Sequence, residues 1–204
     1  CELHLTYEDG RQECICSDKG WKTSTGPIIF NSIRNGEHYD ARLEIEGWNQ
    51  SGYLEKGWEN AQVVRGAGGK LQAAEMQPVK VMQEIVPVSY YRTKEGNWIF
   101  DLGQNFAGKV RLTAYGPAGA EITLRYSEDL TGDGEHVEQG HISGFVRSGQ
   151  FQTDRYVKKS SGPEEWTPCF VYHGFRYVEV EGLPEDLPDS CITGLVMHTS
   201  FERT

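Results

Sequence analysis

Apolar and polar side chains alternate with a period of two in short runs along most of the chain. Leu3, Leu5 and Tyr7 alternate with His4 and Thr6, and Val110, Leu112 and Ala114 alternate with Arg111, Thr113 and Tyr115. Ile122, Leu124 and Tyr126 do the same with Thr123 and Arg125. That period sends one set of side chains to one face of an extended backbone and predicts half-buried strands. Apolar or mixed runs at 28–30, 42–45, 79–85, 98–101, 149–158, 169–181 and 192–198 read as further strands. Helical periodicity is confined to Gly57-Trp58-Glu59-Asn60-Ala61, which could close one turn.

Turn residues divide these runs. Glu8-Asp9-Gly10-Arg11 reverses the chain before Glu13 to Cys16, so residues 3–16 are expected to form a β-hairpin. Gly116-Pro117-Ala118-Gly119 joins the 110–115 and 122–126 runs, with Pro117 suited to the second turn position. Those two runs are therefore expected to pair as an antiparallel hairpin with one wet face. Arg65-Gly66-Ala67-Gly68-Gly69-Lys70 reads as a linker, because its glycines favour a flexible or sharply bent backbone. A boundary near residue 75 follows. Residues 1–75 are too irregular for a complete domain, whereas 76–204 carry regular strands and frequent turns. The expected fold class is all-β: a jelly-roll-type antiparallel β-sandwich preceded by the β-rich tail of another domain.

Composition sharpens this picture in a few places. Thirty acidic against 20 basic side chains give a net charge of −10, the opposite of a nucleic-acid-binding face. No run approaches the roughly 18 apolar residues of a membrane span. The five cysteines are an odd number. Cys14 and Cys16 face one side of a strand, but paired metal ligands usually have two to four residues between them and a second pair elsewhere. The expectation is buried free thiols and no metal.

Few side chains announce chemistry. Asp101, Gln104 and Asn105 sit in what reads as a turn between strands, where Asp and Asn bond nearby backbone N–H groups. Asp129, Thr131, Asp133 and Gly134 match the first half of a calcium loop, but its twelfth position is Gly140 instead of a bidentate Glu. A long polar surface loop is the expected outcome there. No pair among the 30 carboxylates stands in a recognisable catalytic motif.

Three motifs in order carry a resemblance. They are Gly36-Glu37-His38-Tyr39-Asp40-Ala41-Arg42 with Gly47-Trp48 and Gly57-Trp58 after it, Asp101-Leu102-Gly103-Gln104-Asn105-Phe106-Ala107-Gly108, and His173-Gly174-Phe175-Arg176-Tyr177. Together they resemble the accessory β-domains of bacterial α-L-rhamnosidases, across nearly the whole chain. The resemblance implies a concanavalin-like β-domain after the C-terminal part of an N-terminal domain. It also implies that catalysis, an inverting acid/base hydrolysis of terminal α-L-rhamnosides without an organic cofactor, belongs to an α/α-barrel. That barrel would begin about where Phe201-Glu202-Arg203-Thr204 ends this sequence, as a partner in the same polypeptide. On this basis the chain is expected to hold no catalytic residue. Asp101, Gln104, Asn105, His173 and Arg176 are expected to organise turns or an interdomain seam. Glu37, Asp40 and Trp48 are candidates for a surface that meets rhamnose-containing glycans. A free carbohydrate-binding module and a purely structural spacer are the alternatives, and a periplasmic or a cytoplasmic bacterial location fits equally.

Overall fold

A computed structural model of the chain describes residues 1–66, 68–187 and 191–201. Ala67 of the expected linker and Glu202 to Thr204 of the expected barrel junction lie outside the described residues. In chain order the strands are β1 (Glu2–Thr6), β2 (Gln12–Cys16), β3 (Lys22–Thr23), β4 (Ile28–Ser32), β5 (Gly36–Asp40), β6 (Glu59–Asn60), β7 (Val79–Ile85) and β8 (Ser89–Arg92). They continue with β9 (Trp98–Ala114), β10 (Glu121–Ser127), β11 (Asp129–Leu130), β12 (Val137–Glu138), β13 (Thr153–Val157), β14 (Glu164–Trp166), β15 (His173–Glu181) and β16 (Ile192–Thr199). The fold is all-β, and among the described residues no helix is long and apolar enough to cross a membrane.

The chain divides into two compact units, and the division is not sequential. One comprises Cys1–Gly26 with Ile45–Glu75; the other comprises Pro27–Glu44 and the chain from Met76 onward. The first unit contains the β1–β2 hairpin and the short β3–β6 pair. None of its described residues is buried.

The second unit holds the core. Its ten-stranded sheet runs β4-β5-β13-β10-β15-β9-β16-β7, with β8 and β14 also paired to β9. Every pairing is antiparallel except β5 with β13. The sheet curls because β9 is 17 residues long and changes neighbours along its length. Its first part lies between β8 and β15, and its second part pairs with β16 and β14. One core cluster encloses Leu112, Leu124, Tyr126, Phe175, Val178 and Ile192, each 0% exposed. Each such side chain contributes roughly 1.5–3 kcal/mol relative to exposure, so this layer supplies the dominant favourable term.

Several local expectations are corrected. The 110–115 and 122–126 runs do not form a hairpin, because β15 lies between β9 and β10. The connecting turn crosses over instead, tied down by Lys158. The fully buried ammonium of Lys158 donates to the Ala114 carbonyl at 2.9 Å and the Gly162 carbonyl at 2.7 Å. The 42–45 strand is a 3-10 turn at Ala41–Leu43, initiated when the Asp40 side chain accepts the Arg42 N–H. Gly57 to Ala61 contributes the short strand β6 instead of a helical turn. Finally, Asp101 to Gly108 lies inside β9 and is no turn between two strands.

Candidate functional site

A large irregularity gives the Asp101 motif its shape. Phe175 of β15 pairs with Phe106, but Tyr177 pairs with Asp101. Arg176 alone therefore spans residues 102–105 of β9, a bulge that swings the strand from one part of the curl to the next. Gly103 enables it with a φ of 79°. The Asp101 carboxylate accepts the Gly103 N–H at 2.7 Å and the Arg176 Nε and Nη2 protons at 2.8 and 2.9 Å. The Arg176 guanidinium, seconded by the Gly103 amide, holds the Asp101 carboxyl below its ordinary range. Leu102 is directed into the core, and Gln104 and Asn105 lie exposed on the outside of the bulge.

His173, two residues before the bulge register, enters a buried polar cluster that no motif announced. Asp154 is 0% exposed and accepts the Tyr126 hydroxyl at 2.7 Å and the Glu37 N–H at 2.8 Å. His173 Nε2 lies 3.1 Å from the same carboxylate, and the Tyr126 and His173 rings stack 4.4 Å apart. Burial first, and then the Asp154 charge, push the Tyr126 hydroxyl well above its ordinary range. An acid, a histidine and a hydroxyl are thus together, but in the wrong order for nucleophilic catalysis. There the histidine stands between acid and hydroxyl, whereas here Asp154 stands between histidine and tyrosine. The cluster joins β5, β10, β13 and β15. Its only legible signal is Asp154 within the run Thr153 to Val157, where a buried acid must find donors.

The candidates for a glycan surface are divided between the units. Glu37 is 0% exposed, and its carboxylate accepts the Cys169 N–H at 3.0 Å and the Phe170 N–H at 2.9 Å. It clamps the backbone ahead of β15. Asp40 is engaged by Arg42, whose Nε and Nη2 protons it accepts at 2.8 and 2.7 Å, and this pairing lowers its pKa. Trp48 belongs to the other unit and is 60% exposed.

The 129–140 loop has its acids engaged. Asp133 accepts the Thr131 hydroxyl at 2.7 Å and the Glu135 N–H at 3.1 Å, and Glu135 accepts the Lys94 N–H at 2.8 Å. Behind it, the buried Glu179 accepts Asn97 Nδ2 at 2.8 Å and the Val137 N–H at 3.0 Å, with His136 Nδ1 at 3.3 Å. The cysteines differ from expectation: Cys1, Cys14, Cys16 and Cys169 are exposed, and only Cys191 is buried. Beside His173 opens a concavity of about 680 Å³, lined by Arg34, Phe145, Phe151, Gln152 and Tyr172 among others.

Comparison with known proteins fits this arrangement. The sequence profile of the bacterial alpha-L-rhamnosidase concanavalin-like domain matches residues 91–198, more than half of the chain. The chain belongs to the bacterial α-L-rhamnosidase family. The profile of the α-L-rhamnosidase N-terminal domain matches residues 1–83. An α-L-rhamnosidase of Formosa agariphila is 34% identical over 99% of this chain, which covers 21% of that protein. The solved α-L-rhamnosidase named for Dictyoglumus thermophilum superposes with a TM-score of 0.88 at 36% identity, over 98% of this chain and 22% of its own. The Streptomyces avermitilis α-L-rhamnosidase in complex with L-rhamnose gives 0.85 at 37% identity, over 98% of this chain and 19% of its own. The chain thus spans about a fifth of the length of the curated relatives it matches.

Proposed function

We propose that this chain is the non-catalytic β region of a longer α-L-rhamnosidase, bracing an α/α-barrel of the same polypeptide that hydrolyses terminal α-L-rhamnosides with inversion. The observation that carries this reading is the end-to-end match of the chain to about a fifth of solved and curated α-L-rhamnosidases. Inverting hydrolysis uses two carboxyl groups about 6.5–9.5 Å apart with a water between them. In this reading both belong to the barrel. In this reading the N-terminal domain supplies Cys1–Gly26 and Ile45–Glu75, while Pro27–Glu44 adds β4 and β5 to the sheet that the concanavalin-like domain builds from Met76 onward, so the boundary near residue 75 separates the two only in part. Asp101, His173 and Arg176 act as organisers of the bulge and its surroundings, with Gln104 and Asn105 displayed toward a neighbouring domain.

Exposed apolar side chains support the bracing role. The edge strand β7 leaves Val79 57% and Val81 45% exposed, and Phe170 and Tyr172 are 65% and 54% exposed. Sheet edges and apolar groups of this kind are normally covered. The test compares two proteins. Val81→Lys should leave the thermal midpoint of this chain nearly unchanged but lower that of a polypeptide carrying both chain and barrel. Equal effects in the two would refute bracing through β7. Purified chain should not turn over an aryl α-L-rhamnoside, and turnover would overturn the assignment of catalysis elsewhere.

The exposed indole of Trp48 favours a second reading, a surface that stacks on rhamnose. Calorimetric titration of the chain with L-rhamnose, with and without calcium, tests it. Heat that disappears in Trp48→Ala would support it, and no heat would remove it.

A further inference from the structure

The β1–β2 hairpin brings four metal-ligating side chains to one face. Its register sets Glu2 opposite Cys16 and His4 opposite Cys14. Period-two alternation then sends all four to the same side. Glu2 Oε1 lies 2.9 Å from His4 Nε2 and 3.6 Å from Cys14 Sγ. Cys14 Sγ lies 4.0 Å from His4 Nε2 and 3.6 Å from Cys16 Sγ. A carboxylate oxygen, an imidazole nitrogen and a thiol sulfur thus lie within 4.8 Å of one another, with a second thiol beside the first.

These spacings match a coordination sphere. A tetrahedral zinc ion, with bonds of about 2.3 Å to sulfur and about 2.0–2.2 Å to nitrogen or oxygen, holds its ligand atoms roughly 3.3–3.8 Å apart. The 3.6 and 4.0 Å separations from Cys14 Sγ lie in or just above that range, and the Glu2–His4 separation of 2.9 Å lies below it. Cys16 stands beside Cys14 and outside the group of three, so it must change rotamer to complete the sphere. The donor set also selects the ion. Two sulfurs and an imidazole suit a thiophilic divalent cation, whereas calcium and magnesium take oxygen ligands. Cys14 and Cys16 are both free thiols, with their sulfurs 3.6 Å apart, so the site requires the reduced chain. Residues two apart on a strand hold their Cα atoms about 6.5 Å apart, at the far end of the range that a disulfide spans.

We propose that Glu2, His4, Cys14 and Cys16 form a binding site for zinc or a zinc-like thiophilic divalent cation on the β1–β2 hairpin. The site staples two strands in a unit that has no buried residue among those described, where bound metal supplies stability that packing does not. It replaces the expectation of no metal. The spacing rule seeks a second ligand pair along the chain, and here the facing strand provides it. The proposal stands independently of the bracing role.

Untagged chain, stripped of metal and kept reduced, would be titrated with Zn²⁺ against a chromophoric chelator and with Co²⁺ by absorption. One equivalent should bind, and Co²⁺ should show a thiolate charge-transfer band with tetrahedral d–d bands. Cys14→Ser and His4→Ala should each weaken Zn²⁺ binding roughly tenfold or more. Cys169→Ser, an exposed thiol outside the cluster, should leave it unchanged. All the altered side chains are exposed, so the variants retain the fold, with circular dichroism as the check. Substoichiometric binding, a cobalt spectrum without the thiolate band, or parental affinity in Cys14→Ser and His4→Ala would overturn the site.

Discussion

Single residues in this protein act mainly through buried or half-buried charge pairs. Asp101 and Arg176 meet through two parallel N–H to oxygen bonds, and their side chains are 18% and 39% exposed. Bidentate charge-assisted pairs are among the stronger hydrogen bonds, but partial exposure screens this one. Arg176→Ala should therefore lower the midpoint of a urea titration only modestly, less than loss of a buried core side chain does. The pair also sets a pH dependence. Because the folded Asp101 pKa is lowered, its contribution is complete above the unfolded value of about 3.9 and is lost as pH falls through the folded value. Asp101→Asn should flatten that acid limb of stability. His136 behaves with the opposite sign. Its hydrogen bond to Glu179 raises its pKa, so the pair's contribution is complete below about pH 6.5 and fades as pH rises through the folded value. An NMR titration should place the His136 midpoint above that of a histidine in a free peptide.

Elements depend on close backbone approach as much as on apolar pattern. Gly108 pairs with Val196 where β9 passes β16, and a Cβ there would stand 2.0 Å from the Leu195 carbonyl oxygen. Gly108→Ala should force the strands apart and destabilise the unit by about 2–4 kcal/mol, measured as a lowered urea midpoint. Phe175→Ala should cost about 3–5 kcal/mol by the same measure, because the ring is fully buried against Phe106 and Tyr126. Most strands were legible as alternating runs, since period-two burial is written in the residues themselves. Their pairing was not. The Gly116 to Gly119 turn permits a hairpin, but β15 offers apolar partners to β9 and β10 at once and inserts between them. Nor could the Asp101 motif be told from a turn. Both use an Asp to cap a backbone N–H and a glycine at positive φ, and only Arg176 on the facing strand makes it a bulge.

At the scale of the whole molecule, the two units differ in what holds them. The second encloses a continuous core, while no described residue of the first is buried. Amide protection follows the free energy of local opening. Hydrogen exchange should therefore show β1, β2, β3 and β6 exchanging far faster than β9, β10 and β15. Equal protection across both units would contradict this contrast.

The sequence by itself determined the all-β class, most strand positions, and the family, since these depend on local alternation, turn residues and motifs that survive without neighbours. Only the tertiary structure decided which strands adjoin, that Asp154 gathers Tyr126, His173 and the Glu37 backbone, and that Glu37 is enclosed. The same holds for the meeting of His4 and Glu2 with Cys14 across the hairpin. The physical reason is common to all of these. A buried charge or a convergent ligand set is defined by the donors and ligands facing it, and those come from strands separated along the chain.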